Sequence, residues 1–240
     1  MLLTQKFWVS KLVDQILLFE GGQNEKGVSS KQAGETVNPI HITTQKITED
    51  NFSGSMPVIS GANPLAIKMR EYIQAEVAEF RKEANVDVPG MREKFGTDSP
   101  LAAYTIDIAS KYIKSAKTES IETSVYSFTG GAHGSTIYKV ITTDQSSGKV
   151  LVLSNIIKKV EQNAFTEFVK KQLTNWRPEG SDVSVVFPED VKNLTFNSFT
   201  NWSLDDKNLT IYFDQYVIGP GALGATAFPL SLEQIKNFLQ

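Results

Sequence analysis

Residues 101–143 are LAAYTIDIASKYIKSAKTESIETSVYSFTGGAHGSTIYKVITT, and this stretch decides the fold. Runs rich in Tyr, Ile, Val and Thr occur at 101–114, 121–128 and 135–143. Polar turns separate these runs, which is typical of consecutive β-strands. Short turns between consecutive strands predict an antiparallel meander. Because Ile106 and Ile108 alternate with Asp107, one face of this sheet is predicted to be more deeply buried than the other.

A long helix is predicted just before this sheet. Asn63 can cap the first free amides of a helix, and Pro64 at the first helical position has no amide to satisfy. Apolar residues then recur every three or four positions as far as Phe80. This period is that of an amphipathic helix, which we expect to lie across the sheet and to end before Val88-Pro89-Gly90.

The second half of the chain repeats the mixture of helix and strand. Residues 162–176 carry an apolar helical stripe, and strand-like runs follow at 194–204 and 208–216. Near the end, Ser231 and Gln234 have the spacing of a capping box. The predicted fold class is therefore α+β, with two lobes that are each an antiparallel sheet packed by helices.

Composition predicts the domain boundaries. Residues 20–40 are rich in Gly, Ser, Gln and Asn, which is the composition of a linker. We therefore predict an N-terminal segment and linker at 1–37, a first lobe at 38–150 and a second lobe at 151–240. The first twenty residues hold no uninterrupted apolar run, so they favour a short amphipathic helix over a signal peptide, with membrane association as the alternative.

Charge and residue types exclude several classes of function. The chain has 240 residues, a net charge of −3, no cysteine and two histidines. The chain has no basic stripe that would bind nucleic acid. Because it has neither thiolates nor an HExxH motif, we predict no metal site. Cofactor-binding glycine motifs and the G-x-S-x-G elbow are absent too. The sequence thus favours a binding protein without a cofactor over an enzyme.

Two glycine-rich loops are the candidate site. The first is Phe128–Gly134, in which Gly130 and Gly131 precede His133; the histidine could fix the loop, bind a ligand, or act as a general base with Ser135 in a hydrolase. The second, at 213–224, leaves a strand at Tyr216 and continues through Pro220, Gly221 and Gly224. It is either a recognition surface or a plain connection.

These two loops also carry a family resemblance. The chain resembles the paired domains of unknown function in lysozyme-sensing anti-sigma-V factors at three places. These are the motif at 128–134, the hairpin residues Asp144, Gly148 and Lys149, and the Leu-x-Ile-x-Phe-x-x-Tyr-x-Ile-x-Pro-x-x-x-Gly pattern at 209–224. The first domain of that pair also precedes the catalytic domain in peptidoglycan deacetylase C. The resemblance covers about residues 40–240.

The resemblance implies an extracytoplasmic location and a partner such as a lysozyme-type protein or peptidoglycan. It makes Tyr216, Pro220 and the surrounding loop the expected contact residues. One departure is that relatives often have Ala-Pro-Tyr-Ala where this chain has Gly219-Pro220-Gly221-Ala222. The chain also lacks a sigma-binding segment and a metal-binding deacetylase motif, so neither of those activities is implied.

Overall fold

The first β-sheet has five strands in the order β1-β2-β3-β4-β5. A computed structural model describes residues 39–177 and 184–240, and these residues belong to one compact unit. The predicted N-terminal segment at 1–37 lies outside the described residues. The strands are Ile42–Thr48 (β1), Phe52–Ile59 (β2), Tyr104–Lys114 (β3), Thr118–Phe128 (β4) and Ser135–Asp144 (β5).

The pairing of these strands confirms the predicted meander and adds one parallel pair. Strands β3, β4 and β5 are antiparallel neighbours, as are β1 and β2. Strand β2 is parallel to β3, because helix α1 (Pro64–Phe95) carries the chain back to the starting end of the sheet. The first sheet is therefore mixed rather than wholly antiparallel.

Helix α1 covers one face of this sheet. Its start is as predicted, since the Asn63 Oδ1 accepts from the Ala66 amide at 2.8 Å and Pro64 follows. A stripe of side chains spaced by three and four residues is buried against the sheet: Leu65, Met69, Ile73, Val77, Phe80, Ala84 and Val88. The sheet contributes apolar side chains to the same core, including Ile106, Ile108, Ile121 and Val125.

The predicted end of α1 before Val88-Pro89-Gly90 is wrong, because the helix continues through Pro89 to Phe95. Proline removes one backbone hydrogen bond inside a helix, which tertiary contacts can offset. Val88 is fully buried, and one turn later the Arg92 guanidinium donates to the Asp50 carbonyl and the Asn51 side chain at 2.5 and 3.0 Å. These contacts hold the last two turns on the sheet.

The second sheet has three antiparallel strands, Trp202–Leu204 (β6), Asn208–Phe213 (β7) and Thr226–Ser231 (β8). Helices α2 (Gln162–Asn175), α3 (Pro188–Lys192) and α4 (Leu232–Ile235) accompany it. The run at 194–204 is a strand only at its end, because the Thr195 amide donates to Ser198 in a short 3-10 turn. Two sheets with separate apolar clusters confirm the α+β fold class.

Strand β5 joins the two sheets through side chains that replace a neighbouring strand. The Asn201 side chain donates to the Tyr138 carbonyl at 2.9 Å and accepts from the Val140 amide at 3.0 Å. This is the pair of bonds that a peptide group of an adjacent strand would make. The Thr142 hydroxyl donates to the Trp202 carbonyl at 2.8 Å. The outer edge of the first sheet is thus closed by the second lobe.

None of the helices within the described ranges combines the length and the hydropathy that crossing a bilayer requires.

Candidate functional site

The turn between β4 and β5 needs its glycines. Gly130 has φ +75°, and a Cβ there would lie 2.5 Å from the Leu101 carbonyl oxygen. A Cβ on Gly134 would lie 2.5 Å from the Tyr126 ring. The chain therefore passes close to both neighbours, and it places the exposed His133 at the tip of the turn. Only glycine allows this approach at Gly130 and Gly134.

The second loop leaves β7 with an unusual backbone. Among the described residues, Tyr216 is the one non-glycine residue with positive φ, at 73°. A bulky side chain in this region costs about 1–2 kcal/mol. The ring lies over Gly221, where a Cβ would be 2.4 Å from the Tyr216 hydroxyl oxygen. Gly221 is therefore required for the ring to lie flat on its own loop.

The two predicted loops meet at a hydrogen bond between His133 and Tyr216. The Tyr216 hydroxyl lies 3.0 Å from His133 Nε2, and His133 Nδ1 lies 3.0 Å from the Gly134 carbonyl oxygen. Since a carbonyl only accepts, Nδ1 carries the proton in this arrangement and the Tyr216 hydroxyl donates to Nε2. The two rings are tilted by 38° with centroids 6.1 Å apart. Residues 83 positions apart in the chain thus form one surface.

Asp214 and Gln215, which directly precede Tyr216, anchor its loop to β5. The Tyr138 amide donates to Asp214 Oδ1 at 2.6 Å. The Gln215 side chain accepts from the Thr136 amide at 2.9 Å, and its amide group donates to the Gly221 carbonyl at 2.8 Å. Burial raises the pKa of the Asp214 carboxyl, although the Tyr138 amide acts in the opposite direction. Neither anchor was identified from the sequence, although two polar side chains directly after a buried strand were a signal for them.

Apolar side chains surround Tyr216 on the protein surface. Tyr216 and Val217 are each 40% exposed, and Phe187 is 49% exposed. The Phe187 amide donates to the Ile218 carbonyl at 2.9 Å, which places the two segments side by side. Phe187 was not identified from the sequence, because an aromatic residue before a proline carries no distinctive pattern. Together Tyr216, Val217 and Phe187 form the exposed apolar surface of the site.

The hydrogen bonds of His133 disfavour the predicted general-base role. Both ring nitrogens are occupied, one by a backbone carbonyl and the other by the Tyr216 hydroxyl. Within the described residues, neither nitrogen bonds to Ser135 or to a carboxylate, so no nucleophile or orienting acid completes a triad. In the same part of the chain, no three His, Asp or Glu side chains converge as metal ligands would.

The predicted site residues fall into two groups. His133 and Gly221 both contact Tyr216, and Pro220 precedes the short 3-10 turn that carries Gly221. Gly130 shapes the first turn at a distance from the rings. Gly131 and Gly224 have open space where a side chain would be, so their positive φ angles alone explain the glycines. The role of all seven residues in binding stays a prediction.

Comparison with known proteins matches the two halves separately. Residues 43–136 match the family model described as Deacetylase PdaC, and residues 154–233 match the model described as Protein of unknown function (DUF3298). No curated protein matches the chain in sequence.

Solved structures share the fold at low sequence identity. A member of the DUF3298 family from Bacteroides fragilis is 17% identical, with a TM-score of 0.56 over 85% of this chain and 94% of that one. A DUF3298 family protein from Pseudomonas aeruginosa PAO1 is 15% identical, with a TM-score of 0.55 over 86% of this chain and 95% of that one. The chain therefore carries a PdaC-type domain followed by a DUF3298 domain.

Proposed function

We propose that this chain is an extracytoplasmic recognition module of the cell wall, and that the surface around Tyr216 and His133 binds a lysozyme-type protein. The tandem of a PdaC-type domain and a DUF3298 domain supports the cell-wall setting. The resemblance to lysozyme-sensing proteins, carried by the same two loops, supports the choice of partner.

The hydrogen bond between Tyr216 and His133 is the observation that carries the proposal. It fixes an exposed aromatic ring at a strained backbone position, and such strain is typically kept where function requires it. A rigid tyrosine loses little side-chain entropy when a partner covers it. Tyrosine is one of the residues enriched in protein-binding hot spots, and Val217 and Phe187 provide further exposed apolar area in the adjoining segments.

The alternative function, a hydrolase that uses His133, has weaker support. Its general base would need a free ring nitrogen directed at a hydroxyl or a water. Here Nε2 is engaged by the Tyr216 hydroxyl, which is itself part of the exposed surface. The hydrogen bond between His133 and Tyr216 therefore weakens the hydrolase hypothesis and supports a binding role.

Binding of the purified chain to a panel of lysozymes, measured by calorimetry, tests the proposal. Tyr216→Ala removes a central aromatic anchor and should weaken binding by roughly 30-fold. Pro220→Ala should weaken it less. Val86→Ala is the matched control, since it removes a 72%-exposed apolar side chain from helix α1. A chain that binds no lysozyme, or whose Tyr216→Ala variant binds as the control does, would refute the proposed partner or the proposed surface, respectively.

A further inference from the structure

Three of the four sheet edges in the described part of the chain are protected against further pairing. Strand β5 is closed by the second lobe through the Asn201 side chain. Strand β6 has three residues, and its Leu204 carbonyl accepts from the Thr118 hydroxyl of the first sheet. Strand β8 contains Pro229, which has no amide to donate. The remaining edge is β1 (Ile42–Thr48), which contains neither proline nor glycine and is covered by no other described strand.

The outer side of β1 presents the backbone groups of four alternate residues. At the two ends of the β1–β2 hairpin, the His41 carbonyl accepts from the Ser60 amide at 2.9 Å and the Glu49 amide donates to the Phe52 carbonyl at 3.0 Å. In an antiparallel pair every second residue bonds to the partner strand, and the residues between direct their amides and carbonyls away from it. The outward groups therefore belong to Ile42, Thr44, Lys46 and Thr48. Three of these residues are exposed and Ile42 is half-buried.

An open groove of about 400 Å³ lies beside this edge, between β1 and helix α1. Its apolar lining consists of Ile47, Met56 and Val77. The Arg81 guanidinium, which also lines the groove, is bound to the Glu49 carboxylate at 2.7 Å, so these two charges compensate each other. Side chains of an added strand would alternate between the two faces of the sheet. The groove has room for those on the helix side, so α1 does not obstruct a sixth strand.

Strand β1 is complementary to itself across a two-fold axis. With Thr44 opposite Lys46 of a second copy, the four outward residues of each copy form four pairs, and each pair exchanges two hydrogen bonds. The neighbouring register in one direction sets Lys46 opposite the same lysine, and in the other it places Thr48 beyond the end of the second strand. We propose that two copies of this chain pair antiparallel through β1, so that their five-stranded sheets become one sheet of ten strands.

This dimer leaves the surface around Tyr216 free. Strands β1 and β5 lie at opposite ends of the sheet, about 19 Å apart at the usual strand spacing, and the Tyr216 loop is anchored to β5. A dimer therefore carries two copies of that surface and would bind a partner fixed on the cell wall with avidity. The dimer itself does not rest on the proposed function, because association of the chain is measured with no partner present.

Sedimentation equilibrium over a wide range of protein concentration tests the interface. The mass of the unmodified chain should rise from that of one chain to that of two. Thr44→Pro removes the outward amide but none of the hydrogen bonds to β2, so it should weaken dimerisation at least about 100-fold. Thr44→Val is the matched control, because it keeps the amide and a β-branched side chain, and it should dimerise as the unmodified chain does.

The register makes two further measurements possible. The Lys46 side chains of the two copies lie diagonally across the pair, about 7–8 Å apart. Lys46→Thr should therefore tighten the dimer roughly threefold, and added salt should tighten the dimer of the unmodified chain by screening the two charges. Hydrogen exchange of the Thr44 and Lys46 amides in the unmodified chain should slow as its concentration rises, because these amides are paired only in the dimer.

Each outcome decides for or against this interface, whatever the lysozyme titration gives. Association that is weakened in Thr44→Pro and kept in Thr44→Val supports the proposal. A chain that stays monomeric at every concentration overturns it. A dimer in which the Thr44 amide exchanges as fast as in the monomer also overturns it, since the two copies then meet elsewhere. Thermal unfolding of dilute Thr44→Pro shows whether the variant is folded; if it is not, the exchange measurement on the unmodified chain decides.

Discussion

Replacing Asn201 should weaken the junction between the two sheets. Asn201→Ala removes the donor to the Tyr138 carbonyl and the acceptor for the Val140 amide. A net hydrogen bond is worth about 1 kcal/mol, and a polar group left without a partner costs about 1–3 kcal/mol. Val140 is only 8% exposed, so water replaces the lost partners poorly. We expect the free energy of unfolding to fall by about 2–4 kcal/mol.

Urea unfolding followed by fluorescence and circular dichroism measures this loss. A chain of this size should lose roughly 2–4 °C of melting temperature for each kcal/mol. The control is Asn197→Ala, an exposed asparagine four residues earlier, which should change stability by less than about 0.5 kcal/mol. Asn201→Asp keeps the acceptor but sets a carboxylate against the Tyr138 carbonyl, so it should also destabilise. If Asn201→Ala lowered the free energy of unfolding no more than the control does, the Asn201 side chain would not be taking the place of a neighbouring strand.

Two further predictions concern the loop. Gly221→Ala puts a Cβ 2.4 Å from the Tyr216 hydroxyl, so it should displace the ring and weaken lysozyme binding about as much as Tyr216→Ala. The control is Gly90→Ala, because a Cβ at this position in helix α1 meets open space. It should leave lysozyme binding unchanged and stabilise the fold by about 0.5–1 kcal/mol. Burial raises the pKa of Asp214 above its ordinary 3.8, so its folded form holds the proton more tightly, and the wild-type chain loses stability as pH rises from 3.8 through that raised value. Asp214→Asn should remove this loss, and urea midpoints for both proteins between pH 3.5 and 7 would check it; parallel curves would contradict it.

Local signals in the sequence predicted most of the elements. The Asn63-Pro64 start of α1, the meander of β3 to β5 and the Ser231 capping box are all formed. These features depend on residues close in the chain, where propensity and capping act directly. The end of α1 was missed because Pro89 is a local stop signal, and the contacts that override it, through Arg92 to Asp50 and Asn51, come from a strand end about 40 residues away.

The two loops of the candidate site were predicted from local signals in the same way, but their contacts were not. The glycines around His133 and Tyr216 identified both loops, since tight turns and close approaches need glycine. Their hydrogen bond joins residues 83 positions apart, and no pattern in either loop predicts it. The anchors Asp214 and Gln215 act on the backbone of β5, a role that the residue types alone do not specify.

The side chains that close β5 also decide how the chain can be divided. Two family models meet between residues 136 and 154, where a cut would appear natural. Yet the amides on the outer edge of β5, those of Thr136, Tyr138 and Val140, donate to side chains at 201–215, beyond that point. A fragment ending near residue 150 would present this strand as a bare edge, ready to pair with another copy. The two halves match different family models, but the first half is expected to aggregate when it is expressed without the second.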